Sequence, residues 1–93
     1  MILHTIQTSP AKGNRLALCL RFMREQDSLL LLGDGINSLL SPQIKQQLSN
    51  TTLYLLQDDV NARGLANALM QYDMISYEDF VALTISHNKV INW

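Results

Sequence analysis

The sequence predicts an α/β fold: a small, mostly parallel β-sheet with helices on both faces, forming one domain over residues 1–93. Two observations lead to this prediction. Apolar, strand-like segments alternate with amphipathic helical segments along the chain, which is the order of parallel strands joined by crossover helices. In addition, residues 27–33 (DSLLLLG) are apolar without alternation, as in a central strand that is covered on both faces.

Three further segments are predicted as strands. MILHTI over residues 1–6 is apolar without helical periodicity, and TTLYLL over residues 51–56 has the same character. DMI over residues 73–75 is short enough for an edge strand. The last six residues, NKVINW, are predicted as a tail that ends in the apolar Trp93.

The first helix is predicted to begin after Asn14, a residue type suited to the N-cap. Apolar side chains then recur at the spacing that buries one helix face: Leu16, Cys19, Leu20 and Met23. Cys19 is the only thiol, and this phase places it on the buried face in mid-helix. There it lacks the dipole of a helix N-terminus, which would lower its pKa. The pattern therefore favours a structural cysteine over a nucleophile or persulfide carrier.

Later segments carry helix start and stop signals. INSLL begins a short helical turn, and Ser41 followed by Pro42 opens a second helix. Asp58 or Asp59 is predicted to cap the next one, which Gly64 ends.

The last helix is predicted from a capping box, in which Ser76 is the N-cap and Asp79 follows three residues later. Its larger side chains form one stripe: Tyr77, Phe80, Val81, Thr84 and Ile85. His87 is predicted in its last turn, where a partly protonated imidazole suits the helix dipole.

The loop Gly33-Asp34-Gly35 follows the second strand, a position where many α/β proteins bind phosphates or metals. It lacks the further glycine of a dinucleotide fingerprint and the Gly-Lys-Ser/Thr of a P-loop. We therefore predict a strand-to-helix turn in which Asp34 accepts backbone N–H groups. Asp58 and Asp59 follow the third strand, but no acidic pair follows the first, so convergent ligands for Mg²⁺ are not established. No metal or cofactor is expected.

The two histidines do not indicate catalysis either. His4 lies in a predicted strand and His87 at a helix end, without metal-ligand spacing. No nucleophile-elbow pattern is present. The residues by themselves do not identify an enzyme.

The composition and charge of the chain limit the classes of partner that it can bind. The net charge of −1 and the scattered basic residues, with at best a small patch at Lys12, Arg21 and Arg24, argue against direct nucleic-acid binding. Apolar residues make up 47% of the chain and charged residues only 16%, which favours apolar surface covered in an oligomer. The absence of a signal-peptide pattern and of a bilayer-length apolar run, together with the single cysteine, predicts a cytoplasmic protein without a membrane segment.

Four segments in register resemble the TusB/DsrH family of sulfur-relay proteins: ILHT, LLLLGDGI, DVNARGL and YEDFVALTISHNKVINW. The match spans nearly the whole chain, and its most specific part is the C-terminal segment. The residues that carry the signature, or are candidates for an interface, are His4, Asp34, Gly35, Arg63, Gly64, Phe80, His87 and Trp93.

This resemblance implies a flavodoxin-like fold of the DsrE/DsrF/DsrH type. It also implies assembly with TusC-like and TusD-like subunits into a heterohexamer with two copies of each. That complex receives persulfide sulfur from TusA and passes it to TusE, and the sulfur ends in the 2-thiouridine of the tRNA wobble position. DsrH-like chains form the equivalent complex in sulfur-oxidising bacteria.

Within such a complex, the resemblance implies that the persulfide cysteine belongs to the TusD-like subunit, on a loop that follows a strand. Here the third strand exits through LQDD, which has no thiol. The chain is therefore expected to be a non-catalytic, structural subunit. Three alternatives stay open: a sulfurtransferase that carries persulfide on Cys19, a DsrH-type subunit of a sulfur-oxidation complex, and a homo-oligomeric α/β module unrelated to sulfur.

Two further questions also stay open. Trp93 anchors an interface or docks on its own sheet, because tryptophan suits both settings. Arg63 bonds helix C-terminal carbonyls or the acid of a neighbour.

Overall fold

A computed structural model describes all residues from Met1 to Trp93. The elements occur in the order β1 (Ile2–Ile6), α1 (Arg15–Phe22), β2 (Ser28–Leu31), α2 (Pro42–Gln47), β3 (Thr52–Leu56), α3 (Gln57–Ala62), β4 (Asp73–Ile75), α4 (Tyr77–Ser86) and β5 (Lys89–Asn92). Two 3₁₀ helices, Pro10–Lys12 and Gly33–Leu40, lie in the connections. All neighbouring strands are parallel, so the predicted α/β fold is confirmed.

The strand order, β4-β3-β2-β1-β5, determines where the helices lie. The first three connections step across the sheet in one direction, and the connection from β4 to β5 returns to the opposite edge. Because parallel crossovers are right-handed, α1, α2 and α3 cover one face, which we call the front, and α4 crosses the other, the back. β4 is an edge strand, as its length predicts.

The run of leucines forms the centre of the sheet. Leu29, Leu30 and Leu31 of β2 are all fully buried, although successive side chains of a strand point to opposite faces. The front-face core joins β2 and its neighbouring strands to side chains of α1 and of the following segments, among them Leu16, Cys19 and Ile36. The prediction of a central strand covered on both faces is confirmed.

The segment predicted as a tail after the last helix is instead a fifth strand, so that prediction was wrong. Lys89–Asn92 pairs in parallel with β1, with Val90 opposite Leu3. The backbone N–H of Trp93 continues the pairing by donating to the Thr5 carbonyl at 3.0 Å. The segment is short and polar at both ends, and its partner strand lies at the other end of the chain, so local pattern does not indicate the pairing.

The predicted helix caps had different outcomes. Ser41 Oγ accepts the Ile44 N–H, and Ser76 Oγ accepts the Asp79 N–H at 3.1 Å. Asn14 occupies the N-cap of α1, but its side chain makes no capping bond.

Asp58 and Asp59 do not cap α3, contrary to prediction. The helix begins at Gln57, directly from β3, with Leu56 at the N-cap position. Both aspartates therefore lie within its first turn, where negative charge complements the helix dipole without capping. Gly64, at φ +66°, follows the end of the helix as predicted.

The stripe predicted on α4 contains three strongly exposed side chains: Tyr77 at 62%, Val81 at 44% and Ile85 at 80% of full exposure. Phe80 and Thr84 are half-buried, and no residue of α4 is fully buried. The helix thus presents an apolar ridge outward. No helix in the structure has the length and apolar character needed to cross a bilayer.

Candidate functional site

The Gly33-Asp34-Gly35 loop is held at the carboxyl ends of β2 and β3 by contacts from α3. Asp59 Oδ2 accepts the Gly33 N–H at 2.7 Å. Arg63 donates to Asp34 Oδ1 at 2.8 Å and to the Asp59 carbonyl at 3.1 Å. Arg63 thus bonds both a helix carbonyl and an acid, and that acid belongs to its own chain.

The predicted role of Asp34 as an acceptor of backbone N–H groups was wrong. The loop enters a 3₁₀ helix directly at Gly33, with Leu32 in the N-cap position. The Asp34 carboxylate instead pairs with Arg63, 29 residues away in sequence. A turn signal read locally could not reveal this partner.

Gly35 is the position in this loop that tolerates no side chain. A Cβ atom there would lie 2.2 Å from the Ile6 carbonyl oxygen. The Gly35 N–H donates to the Gln7 carbonyl at 3.1 Å, which draws the loop against the end of β1. The glycine is therefore required by close backbone approach, not by a ligand.

The loop offers little for metal or phosphate binding. No three side chains of His, Cys, Asp or Glu come together as a metal-ligand set in the structure. Asp34 and Asp59 are each already bonded, to Arg63 and to the Gly33 N–H respectively. These contacts hold α3 against the loop at the carboxyl end of β2, so their role is structural.

Cys19 lies on α1 and is completely buried, as its helical phase predicts. Burial, together with the negative charge of Asp27, raises the pKa of the Cys19 thiol to about 12. Because the thiolate is the reactive form, this cysteine is a neutral core side chain at physiological pH.

We expect iodoacetamide to alkylate Cys19 in the native chain roughly a hundredfold or more slowly than in the unfolded chain. Burial blocks the reagent from the thiol and lowers the fraction of reactive thiolate. The rate is measured by intact mass at mildly alkaline pH, with and without denaturant. Since this is the only cysteine, the signal has one source. Equal rates in both conditions would contradict the assigned burial.

A buried polar cluster joins β1, β2 and the C-terminus. The Trp93 indole N–H donates to His4 Nδ1 at 3.0 Å. Because indole is only a donor, His4 Nδ1 accepts, and its Nε2–H donates to Asp27 Oδ2 at 3.0 Å. Asp27 also accepts the backbone N–H groups of Ile2 at 3.0 Å and Arg24 at 3.1 Å.

Asp27 is the residue of this cluster that the sequence pattern did not indicate. Burial of the carboxyl acts to raise its pKa, but the hydrogen bonds from His4 and from the Arg24 and Ile2 N–H groups outweigh it, so the pKa is lowered. The only local signal is an acidic residue directly before an apolar strand.

Trp93 docks on its own chain. Besides its bond to His4, its ring lies 5.8 Å from the Phe22 ring in an edge-to-face arrangement. The tryptophan is half-buried, whereas Phe22 is 54% exposed. The C-terminal residue therefore helps to fasten β5 and α1 together.

His87 connects the end of α4 to the sheet. It follows the helix as the C-cap residue instead of lying in the last turn. Its Nδ1 lies 2.7 Å from the Leu83 carbonyl, so Nδ1–H donates there, and Nε2 lies 3.0 Å from Ser28 Oγ. The buried imidazole fastens α4 to β2.

The signature residues thus fall into separate places. Asp34, Gly35 and Arg63 meet at the loop after β2, and His4 meets Trp93. His87 reaches Ser28, Gly64 ends α3 and Phe80 lies half-buried on α4, 5.8 Å from the Tyr77 ring. They form a framework and not a single reactive centre.

Comparison with known proteins identifies the family of the chain. A family model described as "DsrH like protein" matches residues 8–90. A protein of Klebsiella pneumoniae named "Protein TusB" is 40% identical over 97 residues, covering 99% of this chain and all of the relative. Proteins of the same name from Yersinia pestis and Buchnera aphidicola are 38% and 34% identical over 96 residues, with the same coverage. The chain therefore belongs to the DsrH family, as its sequence signature predicted.

Proposed function

We propose that the chain is a non-catalytic, structural subunit of a TusBCD-type sulfur-relay complex. In this proposal, the complex passes persulfide sulfur from TusA to TusE for 2-thiolation of the tRNA wobble uridine. One observation carries the assignment of a structural role: the only thiol of this DsrH-family chain is buried in its core.

Persulfide transfer requires a thiolate that can reach a sulfur donor. With the pKa of Cys19 raised to about 12, the thiol stays protonated at pH 7 and the reactive thiolate is scarce. No alternative thiol lies at the end of β3, where the chain continues through Leu56, Gln57, Asp58 and Asp59. The sulfur-carrying cysteine of the complex would accordingly lie on another subunit.

The exposed apolar side chains support the proposal that other subunits cover part of this chain. Eight large apolar side chains are exposed, and oligomer interfaces that form permanently are rich in such residues. They occur on α1 and α4 and in the loops: Met1, Leu18, Phe22, Leu40, Met70, Tyr77, Val81 and Ile85. The expected neighbours are TusC-like and TusD-like subunits, in a cytoplasmic complex.

The proposal is tested by deleting the gene in its source cell and quantifying 2-thiouridine in hydrolysed tRNA. We expect loss of the modification, with restoration by the wild-type chain and equally by Cys19→Ser. The matched measurement is co-purification of TusC-like and TusD-like chains with each tagged variant. A Cys19→Ser complex that assembles fully but restores no 2-thiouridine would support the persulfide-carrier alternative.

The same deletion distinguishes a role in tRNA thiolation from a role in sulfur oxidation. Unchanged 2-thiouridine in the deletion strain would contradict the tRNA role and favour a DsrH-type subunit of a sulfur-oxidation complex. Purification without any TusC-like or TusD-like chain would favour the self-sufficient homo-oligomeric module.

A further inference from the structure

Asp34-Gly35 is the one place in the chain where an aspartate or asparagine is followed by glycine. Every other residue of these two types precedes a residue that has a side chain. Glycine leaves its backbone nitrogen unshielded and allows a wide range of backbone conformations. Attack of that nitrogen on the preceding carboxyl group is therefore easier at Asp34 than at any other aspartate of the chain.

The reaction rearranges the backbone and needs only water. The Gly35 nitrogen bonds to Cγ of the protonated Asp34 carboxyl, the nitrogen loses its proton, and the carboxyl hydroxyl leaves. One water molecule is thus released and a five-membered succinimide forms. Water then opens the ring. Attack at the side-chain carbonyl restores aspartate, whereas attack at the main-chain carbonyl leaves isoaspartate, whose backbone runs through the side-chain methylene and is longer by one carbon atom.

The folded loop holds both reacting groups. The Gly35 N–H donates to the Gln7 carbonyl at 3.1 Å and to the Leu32 carbonyl at 3.0 Å, and Gly35 is buried. The Asp34 carboxylate is 59% exposed, but Arg63 donates to its Oδ1 at 2.8 Å. The attacking nitrogen is engaged with the backbone and the carboxylate is fixed by α3. Succinimide formation therefore requires the loop to open and release both groups.

The position of Gly35 against β1 makes the product incompatible with the closed loop. Even a Cβ atom on Gly35 would lie 2.2 Å from the Ile6 carbonyl oxygen. An additional carbon in the backbone displaces Gly35 from its contacts with Gln7 and Leu32, and the tight fit against Ile6 leaves no room to absorb the shift. A loop that isomerises while open therefore cannot close again in the same way.

From these observations we propose that Asp34-Gly35 is a site of spontaneous isoaspartate formation, which the closed loop suppresses and which Arg63 controls by holding the Asp34 carboxylate. Each reaction converts a transient opening of the loop into a permanent one, so the modification accumulates only in chains that open. This chemistry depends on the chain itself and not on the sulfur-relay role.

Incubation in water enriched in the heavy oxygen isotope tests the site, because each ring opening inserts one labelled oxygen. Peptide mass mapping then locates the label, and chromatography separates the isoaspartyl peptide from the aspartyl one. We expect both signals at Asp34 in the chain unfolded by guanidinium, with a rate lower by roughly tenfold or more in the native chain. Peptides that contain Asp73 or Asp79 are internal controls and should show much less label. Equal native and unfolded rates, or no product at Asp34 in the unfolded chain, would overturn the inference.

Arg63→Met tests the control by α3. It should raise the native rate by roughly two- to fivefold, the effect of losing a partly exposed ion pair, and leave the rate in the unfolded chain unchanged. Circular dichroism confirms that the variant folds. Gly64→Ala is the matched control, because it perturbs the end of α3 without removing the contact with Asp34. An unchanged native rate in Arg63→Met, or an equal acceleration in Gly64→Ala, would contradict the role assigned to Arg63.

Discussion

Replacing Gly35 by alanine is expected to destabilise the chain by about 3 kcal/mol or more, at the upper end of overpacking effects. The new Cβ would lie 2.2 Å from the carbonyl oxygen of Ile6 and 2.9 Å from its carbonyl carbon. Both are backbone atoms of β1, whose position is fixed by β2 and β5. Relief therefore requires the loop to detach from the strand. Thermal unfolding should show a Tm lowered by more than roughly 10 °C.

Gly64→Ala is the control for this substitution. Gly64 has a φ of +66°, and no atom lies within 4 Å of the position that an added methyl group would take there. Its replacement carries only the cost of the left-handed backbone, about 1 kcal/mol. Similar losses for the two variants would show that backbone conformation, and not close approach to β1, explains Gly35.

Asp27→Ala is expected to cost about 3–5 kcal/mol, because it removes the acceptor for three donors in a buried site. The donors are His4 Nε2 and the backbone N–H groups of Ile2 and Arg24. The free energy of unfolding, measured in urea, reports the loss. Glu25→Ala, an exposed acid in the same connection, should stay within about 0.5 kcal/mol of the wild type. Equal losses for the two variants would mean that the buried hydrogen bonds of Asp27 do not stabilise the fold.

The pH dependence of stability provides a second test of Asp27. Its pKa in the folded chain is lowered, whereas an unfolded aspartate titrates near about 3.9. The stabilisation is therefore fully present above that unfolded value, and it is lost as pH falls through the lowered folded value. The difference in stability between wild type and Asp27→Ala should shrink below about pH 4. A difference that is constant into strong acid would contradict the lowered pKa.

Features set by local pattern were accessible from the sequence. The phase of Leu16, Cys19 and Leu20 predicted the buried face of α1, and the uninterrupted leucines predicted the central strand. The Ser41 and Ser76 caps follow from residue types at short spacing. In each case the physical cause lies within one or two helical turns or one strand.

Features set by distant partners were not accessible. β5 forms because residues 89–92 pair with residues 2–5. Asp34 pairs with Arg63 because α3 brings Arg63 close to the loop after β2. Asp27 gains its role from His4 and from the Ile2 N–H, which both lie on β1. None of these partners follows from periodicity, because each depends on the order in which the strands assemble.

The outward ridge of α4 shows a related limit. Tyr77, Val81 and Ile85 have the spacing of a buried helix face, yet they are exposed. An apolar stripe predicts that a surface will be covered, but it does not specify whether the chain's own sheet or another subunit covers it. Here the half-buried Phe80 is on the inner side of the helix.

In the role that we propose, this chain organises a sulfur-relay complex without carrying sulfur. Persulfide loading tests that role: the assembled complex receives sulfur through TusA and a cysteine desulfurase, and the intact mass of every subunit is then measured. We expect the TusD-like subunit to gain the mass of one sulfur atom and this chain to remain unchanged. A one-sulfur gain on this chain, abolished by Cys19→Ser, would contradict a purely structural role.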